Sequence, residues 1–426
     1  MKKLLITGGA RLSGTVRIHG AKNSVLPVLA ACCLCTSPCV LHNCPDIEDV
    51  RTALAILESL GCKTRREGST LCIDPSGLSR FRVEKRLAGK MRSSILFLGA
   101  LLARCGKAEL ALPGGCPLGE RPIDLHVKSL SKLGARFSFE KGILQAAWRE
   151  RSDGDVFLPR PSVGATENLL LACALGSGTV TLHGAAREPE ITDLIGFLRA
   201  AGADIRGAGT SELTICGAHK LHGATYTILP DRIETATYLC MAAGCGGEVE
   251  LQRCDGRLLA PVIERLREAG CEIRCGGSEL ALKSSGKLTA VSPVTTAPYP
   301  GFPTDAQAIL MAAVLRAKGE SVFRETVFER RFLHVPELQK LGADIVLSGK
   351  TARVRGVAHL HGAMLRAEDL RGAAALITAG LLAEGESEVL GLSHLARGYE
   401  NLEQNLKNLG AAIKSVDIPA PFVYNT

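Results

Sequence analysis

Six stretches of the chain are apolar on nearly every side of a helix, and this pattern predicts six buried helices. The stretches are "AKNSVLPVLAACCL", "MRSSILFLGALLA", "GATENLLLACALG", "IETATYLCMAAGC", "TDAQAILMAAVLR" and "LRGAAALITAGLLA". A helix without a polar face has to be covered by other elements. A return strand usually follows, as in "GTVTLHGA" and "GEVELQRC". The pattern therefore predicts central helices with short strands around them.

A second phrase, L-x-x-L/A-G-A/C followed by alternating residues, also occurs six times. Its copies are "LESLGCKTR", "LSKLGARFSF", "LRAAGADIRG", "LREAGCEIR", "LQKLGADIVL" and "LKNLGAAIK". Their glycines are Gly61, Gly134, Gly202, Gly270, Gly342 and Gly410, at intervals of 73, 68, 68, 72 and 68 residues. Each copy predicts an amphipathic helix that ends at a glycine in the left-handed conformation, with a strand of period 2 after it. Acidic residues in "PDIEDV", "REPEITDL" and "VPELQKL" suit the first turns of such helices.

The two phrases together define six repeats, and the fold class that they predict is α/β. We expect two inside-out α/β barrel domains of three repeats each. An ordinary solenoid is the alternative, but the repeat is longer than the usual solenoid periods, and two sets of three suit two closed domains. The boundary is expected near "YTILPDRIETA". One domain would span residues 22–229, and the second would combine residues 1–21 with residues 230–426.

Length and composition restrict the class of protein. A chain of 426 residues is too long for one ordinary core, and 46% hydrophobic with 22% charged residues is typical of a globular protein. The formal net charge is +8, but no long basic run and no recognition motif is present, so nucleic-acid binding is not expected. The charge fits an anion-binding cleft or an ordinary surface.

Apolar runs and cysteines indicate the compartment. No run reaches the 18 apolar residues of a membrane span, and the apolar run before Thr7 is too short for a signal peptide. Sixteen cysteines without an export signal predict a cytoplasmic protein. Cys32, Cys35 and Cys39 come nearest to a metal-binding spacing, but they lie on an apolar helical pattern. No metal site is predicted.

The segment "LPGGCPLGERP" interrupts the repeats, because its glycines and prolines favour neither helix nor strand. Its cysteine, Cys116, lies in a charged context, whereas most of the other cysteines lie in apolar runs, and Arg121 follows five residues later. A guanidinium near a thiol favours the thiolate. Cys116 is therefore a candidate acid or nucleophile on a loop.

Ten motifs follow in order from about residue 6 to about residue 416. They are "GAKNSVLPVLAA", "MRSSILFLGALLA", "LPGGCPLGERPIDLH", "SVGATENLLLA", "AAREPEITDL", "PDRIETATYL", "FPTDAQAILMA", "TVFERRFLHVPEL", "DLRGAAALI" and "RGYENLEQNL". Together they resemble the UDP-N-acetylglucosamine 1-carboxyvinyltransferases, which belong to the EPSP synthase superfamily and start bacterial peptidoglycan synthesis. The resemblance implies six β-α-β-α-β-β units, with the active site in a cleft between the two domains.

The resemblance also implies the reaction. The enolpyruvyl group of phosphoenolpyruvate moves to the 3′-hydroxyl of the sugar nucleotide, and phosphate leaves. No cofactor, no membrane and no obligate protein partner is implied. Both substrates are polyanions, so the cleft needs cations, and a guanidinium can donate two parallel hydrogen bonds to a carboxylate or phosphate.

The resemblance assigns the two substrates to two groups of residues. Phosphoenolpyruvate is expected to contact Lys22, Asn23, Cys116, Arg121 and Arg397. UDP-N-acetylglucosamine is expected to contact Arg92, Arg121, Pro122, Ile123, Asp124, Leu125, Arg160, Ser162, Val163, Gly164, Asp305 and Val327. Glu188, Phe328, Arg331 and Arg371 would support the cleft. From the residues alone, Lys22 reads equally as a surface lysine and Asn23 as a helix cap. The family often has lysine at the Arg160 position.

Five residues are candidates for the chemistry: Lys22, Cys116, Asp305, Asp369 and Arg397. Cys116 would protonate the methylene carbon, or as a thiolate add to the cation that results, and both roles stay open. Asp305 would take the proton of the 3′-hydroxyl, although an aspartate there could instead cap the helix. Asp369 is a candidate for proton transfer. Pro117 replaces the family's commoner small residue, and sugar-nucleotide binding is expected to order residues 112–121.

Two other functions are considered. The sister enzyme transfers enolpyruvate to shikimate 3-phosphate, but its Ser/Lys-rich phosphate motif is replaced here by "GAKNS". A non-catalytic paralogue with the same fold is the second. Lys22, Cys116, Asp305 and Arg397 are all present, whereas a paralogue without activity would often have lost one.

Overall fold

A computed structural model describes residues 2–112, 114, 118–119, 122–148 and 151–417. Its contacts divide these residues into two compact units. The central unit contains the described residues of the ranges 19–115 and 120–231, and the terminal unit contains those of the ranges 1–18, 116–119 and 232–426. The sequence prediction places the two main boundaries after residues 21 and 229.

The helices, with their bounds, fall into two sets. Seven lie in the described part of the central unit: α1 Lys22–Cys32, α2 Glu48–Leu60, α3 Lys85–Ala88, α4 Leu96–Cys105, α5 Asp124–Lys132, α6 Val163–Cys173 and α7 Pro189–Ala200. Seven lie in the described part of the terminal unit: α8 Arg232–Cys245, α9 Ala260–Glu268, α10 Thr304–Ala313, α11 Val335–Lys340, α12 Leu370–Leu382, α13 Leu392–Leu395 and α14 Leu402–Asn408. Two 3₁₀ turns, Arg92–Ile95 and Gly256–Leu259, precede α4 and α9.

The strands are short. In the described part of the central unit they are β3 Cys39–His42, β4 Lys63–Glu67, β5 Thr70–Asp74, β6 Arg82–Val83, β7 Lys107–Ala111, β8 Arg136–Glu140, β9 Ile143–Ala147, β10 Gly154–Phe157, β11 Thr179–His183, β12 Asp204–Arg206, β13 Glu212–Cys216 and β14 Thr225–Thr227. In the described part of the terminal unit they are β1 Lys2–Thr7, β2 Leu12–Arg17, β15 Gly247–Gln252, β16 Glu272–Cys275, β17 Glu279–Ser284, β18 Val294–Thr295, β19 Glu320–Arg324, β20 Asp344–Ser348, β21 Thr351–Arg355, β22 Met364–Arg366, β23 Glu386–Leu390 and β24 Ala412–Asp417.

These strands form six four-stranded sheets with one topology. The orders are β14-β3-β5-β4, β6-β7-β9-β8, β10-β11-β13-β12, β2-β15-β17-β16, β18-β19-β21-β20 and β22-β23-β1-β24. In each sheet the first pair is parallel and the other two pairs are antiparallel. The six β-α-β-α-β-β units are thereby confirmed.

Strands that are far apart in the sequence pair with each other and complete the sheets of each unit. In the central unit β14, at the end of the third repeat, pairs with β3 of the first repeat. In the terminal unit β1 lies between β23 and β24, while β2 pairs with β15. The N-terminal strands therefore complete the terminal unit, as predicted. An open solenoid would leave these edges unpaired, so that alternative is excluded.

The six buried helices form the centres of the two cores. In the central unit α1, α4 and α6 contact one another, and in the terminal unit α8, α10 and α12 do so. In α10, for example, Ile309, Leu310 and Met311 are fully buried. Burial of each such side chain contributes about 2 kcal/mol. Among the described residues, no helix combines the length and the apolarity needed to cross a bilayer.

The six repeat glycines adopt the predicted conformation. Their φ angles lie between 91° and 106°, in the left-handed region that favours glycine. Gly61 comes directly after the last residue of its amphipathic helix, and one residue separates each of the other five from its helix. The acidic first turns are confirmed as well, with Glu48 and Asp49 in α2, Glu190 in α7 and Glu337 in α11.

Candidate active site

Lys22 is the first residue of α1, and two carboxylates hold it there. Its Nζ lies 2.7 Å from Asp49 Oδ2, and its backbone N–H donates to Asp231 Oδ2 at 3.2 Å. The Lys22 side chain is only 12% exposed, so it is not a surface lysine. A helix N-terminus carries partial positive charge and disfavours a cation. The two carboxylates offset that repulsion.

Asn23 is exposed at the second position of α1 and does not cap the helix. The residue before the helix is Ala21, and no side chain caps its first turn. Of the N–H groups of this turn, that of Lys22 donates to Asp231 Oδ2, and that of Ser24 donates to the Ala21 carbonyl at 3.1 Å. A helix N-terminus still favours an anion, and the exposed Asn23 stands where its amide could meet one.

A second group of predicted residues surrounds His126. Arg92 Nη2 donates to the Pro122 carbonyl at 3.3 Å, and Asp124 opens α5. A Cβ added to Gly164 would lie 3.2 Å from His126 Cε1, so a larger residue there would require the imidazole ring to shift by a few tenths of an ångström. Burial, and then the charge of Arg92, lowers the pKa of His126 to about 4. His126 is thus a neutral ring beneath these residues.

A cavity of about 410 Å³ lies beside this group, and some of the predicted residues line it. Its walls are Asp124, Leu125, Lys128, Ser129, Lys132, Val156, Phe157, Pro159 and Arg160. Arg160 is exposed there, and Ser162 caps α6 by accepting from the Ala165 N–H at 3.4 Å. Ile123, Val163 and Gly164 are half-buried nearby in the chain. Three of the lining side chains are cations, and one is a carboxylate. This excess of positive charge suits a phosphate-bearing ligand.

Asp305 is the second residue of α10, and two guanidinium groups hold its carboxylate. Arg331 Nη2 donates to Oδ1 at 2.7 Å, and Arg371 Nη2 donates to Oδ2 at 3.0 Å. Arg331 is 1% exposed and Arg371 is 4% exposed, whereas the Asp305 side chain is 27% exposed. Both arginines are therefore enclosed, and the carboxylate is the accessible member of the group. Asp305 does not cap α10, since the capping position belongs to Pro303.

The charges around Asp305 fix its protonation state. Burial alone would raise the pKa of its carboxyl, but the attraction of Arg371, then Arg331, outweighs burial and holds that pKa well below its usual range. Asp305 is consequently ionised at neutral pH. It accepts hydrogen bonds readily but is a weak base in this arrangement.

Asp369 belongs to the same group but has a structural task. It caps α12, because its Oδ1 accepts from the N–H groups of Arg371 at 3.0 Å and Gly372 at 3.1 Å. The same oxygen lies 3.7 Å from Arg331 Nη1. The residue is 2% exposed. Asp369 thus fixes the backbone of Arg371 from behind.

Two further residues complete this group in the terminal unit. Tyr399 accepts a hydrogen bond from Arg371 Nη1 at 3.2 Å, and its hydroxyl also bonds Thr237 Oγ1 at 2.8 Å. His334 is 3% exposed, and burial lowers its pKa to about 4. Neither residue was among the predicted site residues. Their positions within the motifs "RGYENL" and "RRFLHV" were the signal that could have drawn attention to them.

The remaining predicted residues lie in several places. Val327 is 44% exposed, and the Phe328 ring lies over the Arg331 guanidinium at 5.5 Å. Arg397 is half-buried in the turn after α13, and Glu188 directly precedes α7. Cys116, Pro117 and Arg121 lie outside the described residues, as does most of the loop that carries them.

The structure therefore places the predicted residues in separate groups, one of which lies around His126. Asp305, Asp369, Arg331, Arg371 and Phe328 form one group in the terminal unit. Lys22 in the central unit is held by residues that the prediction did not include, Asp49 and Asp231. Their signal was an acidic first turn in "PDIEDV" and the motif "PDRIETA".

No cluster in the described ranges offers three or more histidine, cysteine or carboxylate ligands for a metal ion. Cys32, Cys35 and Cys39 are free thiols, and all three are fully buried. This thiol group is a packed part of the central core.

The chain matches a family model described as EPSP synthase (3-phosphoshikimate 1-carboxyvinyltransferase) over residues 6–406. It is 45% identical over 413 residues to UDP-N-acetylglucosamine 1-carboxyvinyltransferase 2 of Caldanaerobacter subterraneus subsp. tengcongensis, covering 97% of this chain and 99% of that protein. It is 46% identical over 414 residues to UDP-N-acetylglucosamine 1-carboxyvinyltransferase of Solidesulfovibrio magneticus, with 97% and 99% covered.

Solved structures agree with the fold. The enolpyruvyl transferase NikO from Streptomyces tendae superposes with a TM-score of 0.89 at 30% identity, covering 98% of this chain and 99% of NikO. An EPSP synthase from Acinetobacter baumannii gives a TM-score of 0.74 at 19% identity, covering 98% and 100%. The second likeness concerns the fold alone.

Proposed function

Because the chain belongs to the EPSP synthase family of enolpyruvyl transferases, we propose that it transfers the enolpyruvyl group of phosphoenolpyruvate to the 3′-hydroxyl of UDP-N-acetylglucosamine. Phosphate is released, and the reaction is the first committed step of peptidoglycan synthesis. The observation that carries this is the identity of 43–46% with proteins named for the reaction, over almost their whole length.

The reaction needs an acid, a proton acceptor and fixed cations. The acid gives a proton to the methylene carbon, and the hydroxyl oxygen attacks the adjacent cationic carbon and loses its own proton. The tetrahedral adduct then loses phosphate and a methyl proton, which restores the enol ether. Charge develops at the carbon and on the phosphate, so preorganised charges lower the barrier.

Cationic side chains would supply the charge that the two polyanionic substrates need. We assign Lys22, at the positive N-terminal end of α1, to phosphoenolpyruvate together with Asn23 and Arg397. Arg92 and Arg160 are assigned to the sugar nucleotide, with residues 122–125 and 162–164. The cavity of 410 Å³ beside Arg160, with Lys128 and Lys132 on its walls, supports the second assignment.

Asp305 is assigned to the 3′-hydroxyl. As an ionised, accessible carboxylate it can accept a hydrogen bond from that hydroxyl and orient its oxygen for attack. Its basicity is low while both guanidiniums hold it. A substrate anion that draws Arg371 or Arg331 away would raise it, so binding and proton abstraction would be linked.

Cys116 is assigned to protonation of the methylene carbon or to a covalent adduct, as the family motif suggests. Cys116 lies outside the described residues, so the assignment rests on the sequence. Replacement of Cys116 by Ser or Ala tests it, since unchanged turnover in both variants would remove it. Mass analysis after treatment with a thiol-alkylating epoxide would identify the reactive peptide.

We also propose a cytoplasmic location. The fifteen cysteines that the structure describes are all free thiols, which suits a reducing compartment. The partners that we propose are the two small-molecule substrates.

Phosphate release tests the proposed function. Purified protein is mixed with phosphoenolpyruvate and either UDP-N-acetylglucosamine or shikimate 3-phosphate, because the family model carries the name of the second reaction. We expect phosphate to be released when the acceptor is the sugar nucleotide and not when it is shikimate 3-phosphate. Release only with shikimate 3-phosphate as the acceptor would assign the sister reaction. No release with either acceptor at any pH would support a non-catalytic paralogue.

A further inference from the structure

Glu325 is a buried carboxylate that no part of the proposed mechanism uses. It directly follows β19 and is 1% exposed. Within the described residues, no lysine or arginine forms an ion pair with it. A buried carboxylate is costly unless hydrogen bonds compensate for its lost hydration. Its position is therefore set by the donors around it.

Four donors converge on this carboxylate. Its Oε1 accepts from the N–H groups of Val327 at 2.7 Å and Phe328 at 3.0 Å, and from Thr296 Oγ1 at 2.9 Å. Its Oε2 accepts from Thr304 Oγ1 at 3.0 Å. Hydrogen bonds to an ionised acceptor are roughly twice as strong as neutral ones. One side chain thus joins three separate segments of the terminal unit.

The first of these segments is the turn that presents Val327. Two of its N–H groups end on the Glu325 carboxylate, and the Thr326 N–H donates to Thr296 Oγ1 at 2.9 Å. The Val327 side chain remains 44% exposed. A rigid turn with an exposed apolar side chain is a preformed contact for a ligand.

The second segment is the start of α10, where Asp305 lies. Thr304 is held at both ends: its hydroxyl donates to Glu325, and its carbonyl accepts from Arg331 Nη2 at 2.9 Å. The same Arg331 nitrogen donates to Asp305 at 2.7 Å. Glu325 therefore holds the first residue of α10, and Arg331 connects the same residue to the Asp305 carboxylate.

We propose that Glu325 is a positioning residue for the acceptor substrate. It sets the spacing between Val327, which would contact the sugar nucleotide, and Asp305, which would hold its 3′-hydroxyl. The inference rests on the proposed function and adds a residue to it. Since Glu325 acts on the acceptor side, the binding of phosphoenolpyruvate should not depend on it.

The test compares Glu325→Ala with Glu325→Gln in steady-state kinetics. Glu325→Ala removes all four acceptor contacts, so KM for UDP-N-acetylglucosamine should rise about tenfold to a hundredfold. KM for phosphoenolpyruvate should stay within about twofold. Glu325→Gln keeps one oxygen, and the Thr304 hydroxyl can turn to accept from its amide, so most of the affinity should return. Glu320→Ala, at the exposed start of the same strand, is the matched control.

The outcomes separate this inference from the proposed function. Equal acceptor KM in wild type and in folded Glu325→Ala would overturn it, and so would equal increases of both KM values. If Glu325→Ala does not fold, Thr304→Val decides, because it removes only the Oε2 contact and should raise the acceptor KM severalfold. If the wild type releases no phosphate, the proposed function fails, and calorimetric binding of UDP-N-acetylglucosamine to the same variants still decides this inference.

Discussion

The first turns of α1 and α10 occupy the same place in their repeats but carry opposite charges. α1 of the central unit begins with Lys22, whose ammonium meets Asp49 at 2.7 Å. α10 of the terminal unit begins with Thr304 and Asp305, whose carboxylate meets Arg331 and Arg371 at 2.7 and 3.0 Å. The scaffold is common to both units, and the difference lies in the side chains at the helix starts.

Helix polarity makes the two arrangements unequal. A helix N-terminus favours an anion, so Asp305 is stabilised by α10 before the arginines contribute. The Lys22 ammonium is repelled by the positive end of α1, and its position depends on Asp49 and Asp231. Removal of the Asp305 charge should therefore lower the activity of the enzyme directly. Removal of a partner of Lys22 should instead displace the Lys22 ammonium.

The largest effect is expected from Asp305→Asn. The amide keeps the size but removes the charge that binds two enclosed guanidiniums and would accept the hydroxyl proton. We expect kcat for phosphate release to fall by about 10²–10⁴-fold. Asp344→Asn, an exposed aspartate at the start of β20, is the control and should change little. A fall of less than tenfold in a folded Asp305→Asn enzyme would contradict the role.

Acid conditions should affect the two units alike, because the described part of each contains one buried histidine. His126 and His334 have pKa values of about 4, below the value of about 6.5 in an unfolded chain. Between pH 6.5 and 4 the unfolded chain binds these protons and the native protein does not. The free energy of unfolding therefore falls as the pH drops through this window, by up to about 3 kcal/mol for each histidine, and levels off below it.

Denaturant titrations at pH 7 and pH 4.5 measure this effect. His126→Gln and His334→Gln should each lose less stability between the two pH values than the wild type, and the double variant least. His359→Gln replaces an exposed histidine and serves as the control. An unchanged loss in both single variants would show that other groups cause the acid sensitivity.

The repeats were readable from the sequence because they depend on local rules. Gly202 and Gly270 end their helices because only glycine adopts positive φ at low cost, and the apolar stretches are buried because they have no polar face. The position of Lys22 at the start of a buried helix was predictable in the same way. Resemblance supplied the roles of the residues.

The partners of the charged residues could not be predicted in this way. Asp49 lies 27 residues from Lys22 and Arg371 lies 66 residues from Asp305, and nothing local encodes such pairs. Asp369 is a further case: its motif suggested proton transfer, which stays a prediction, while the hydrogen bonds by which its carboxylate caps α12 were not foreseen. Glu325 was missed because a single glutamate after a strand carries no signal until its four donors are placed around it.

Asp49→Asn tests the position of Lys22. The ion pair is 4% exposed on the aspartate side, and without it the ammonium faces the positive end of α1. We expect kcat/KM for phosphoenolpyruvate to fall about tenfold, or about 1.4 kcal/mol. Asp46→Asn removes an exposed partner of Arg51 and is the matched control. Tighter binding of phosphoenolpyruvate in Asp49→Asn would mean that Asp49 competes with the substrate instead of holding its ligand.

The smallest effect concerns the scaffold, which should respond equally in both units. Gly202 has φ 105°, and Gly270 has φ 100°. A Cβ added at Gly202 would meet only side-chain atoms of His222, at 3.4 Å or more, and a Cβ added at Gly270 would meet nothing within 4 Å. Alanine at either position should therefore cost only backbone strain, about 1 kcal/mol. Hydrogen exchange of β12 and β16, the strands that follow, should increase by the same factor, while Gly277→Ala, without positive φ, should change neither. Unequal increases would place part of the difference between the units in the scaffold, not only at the starts of α1 and α10.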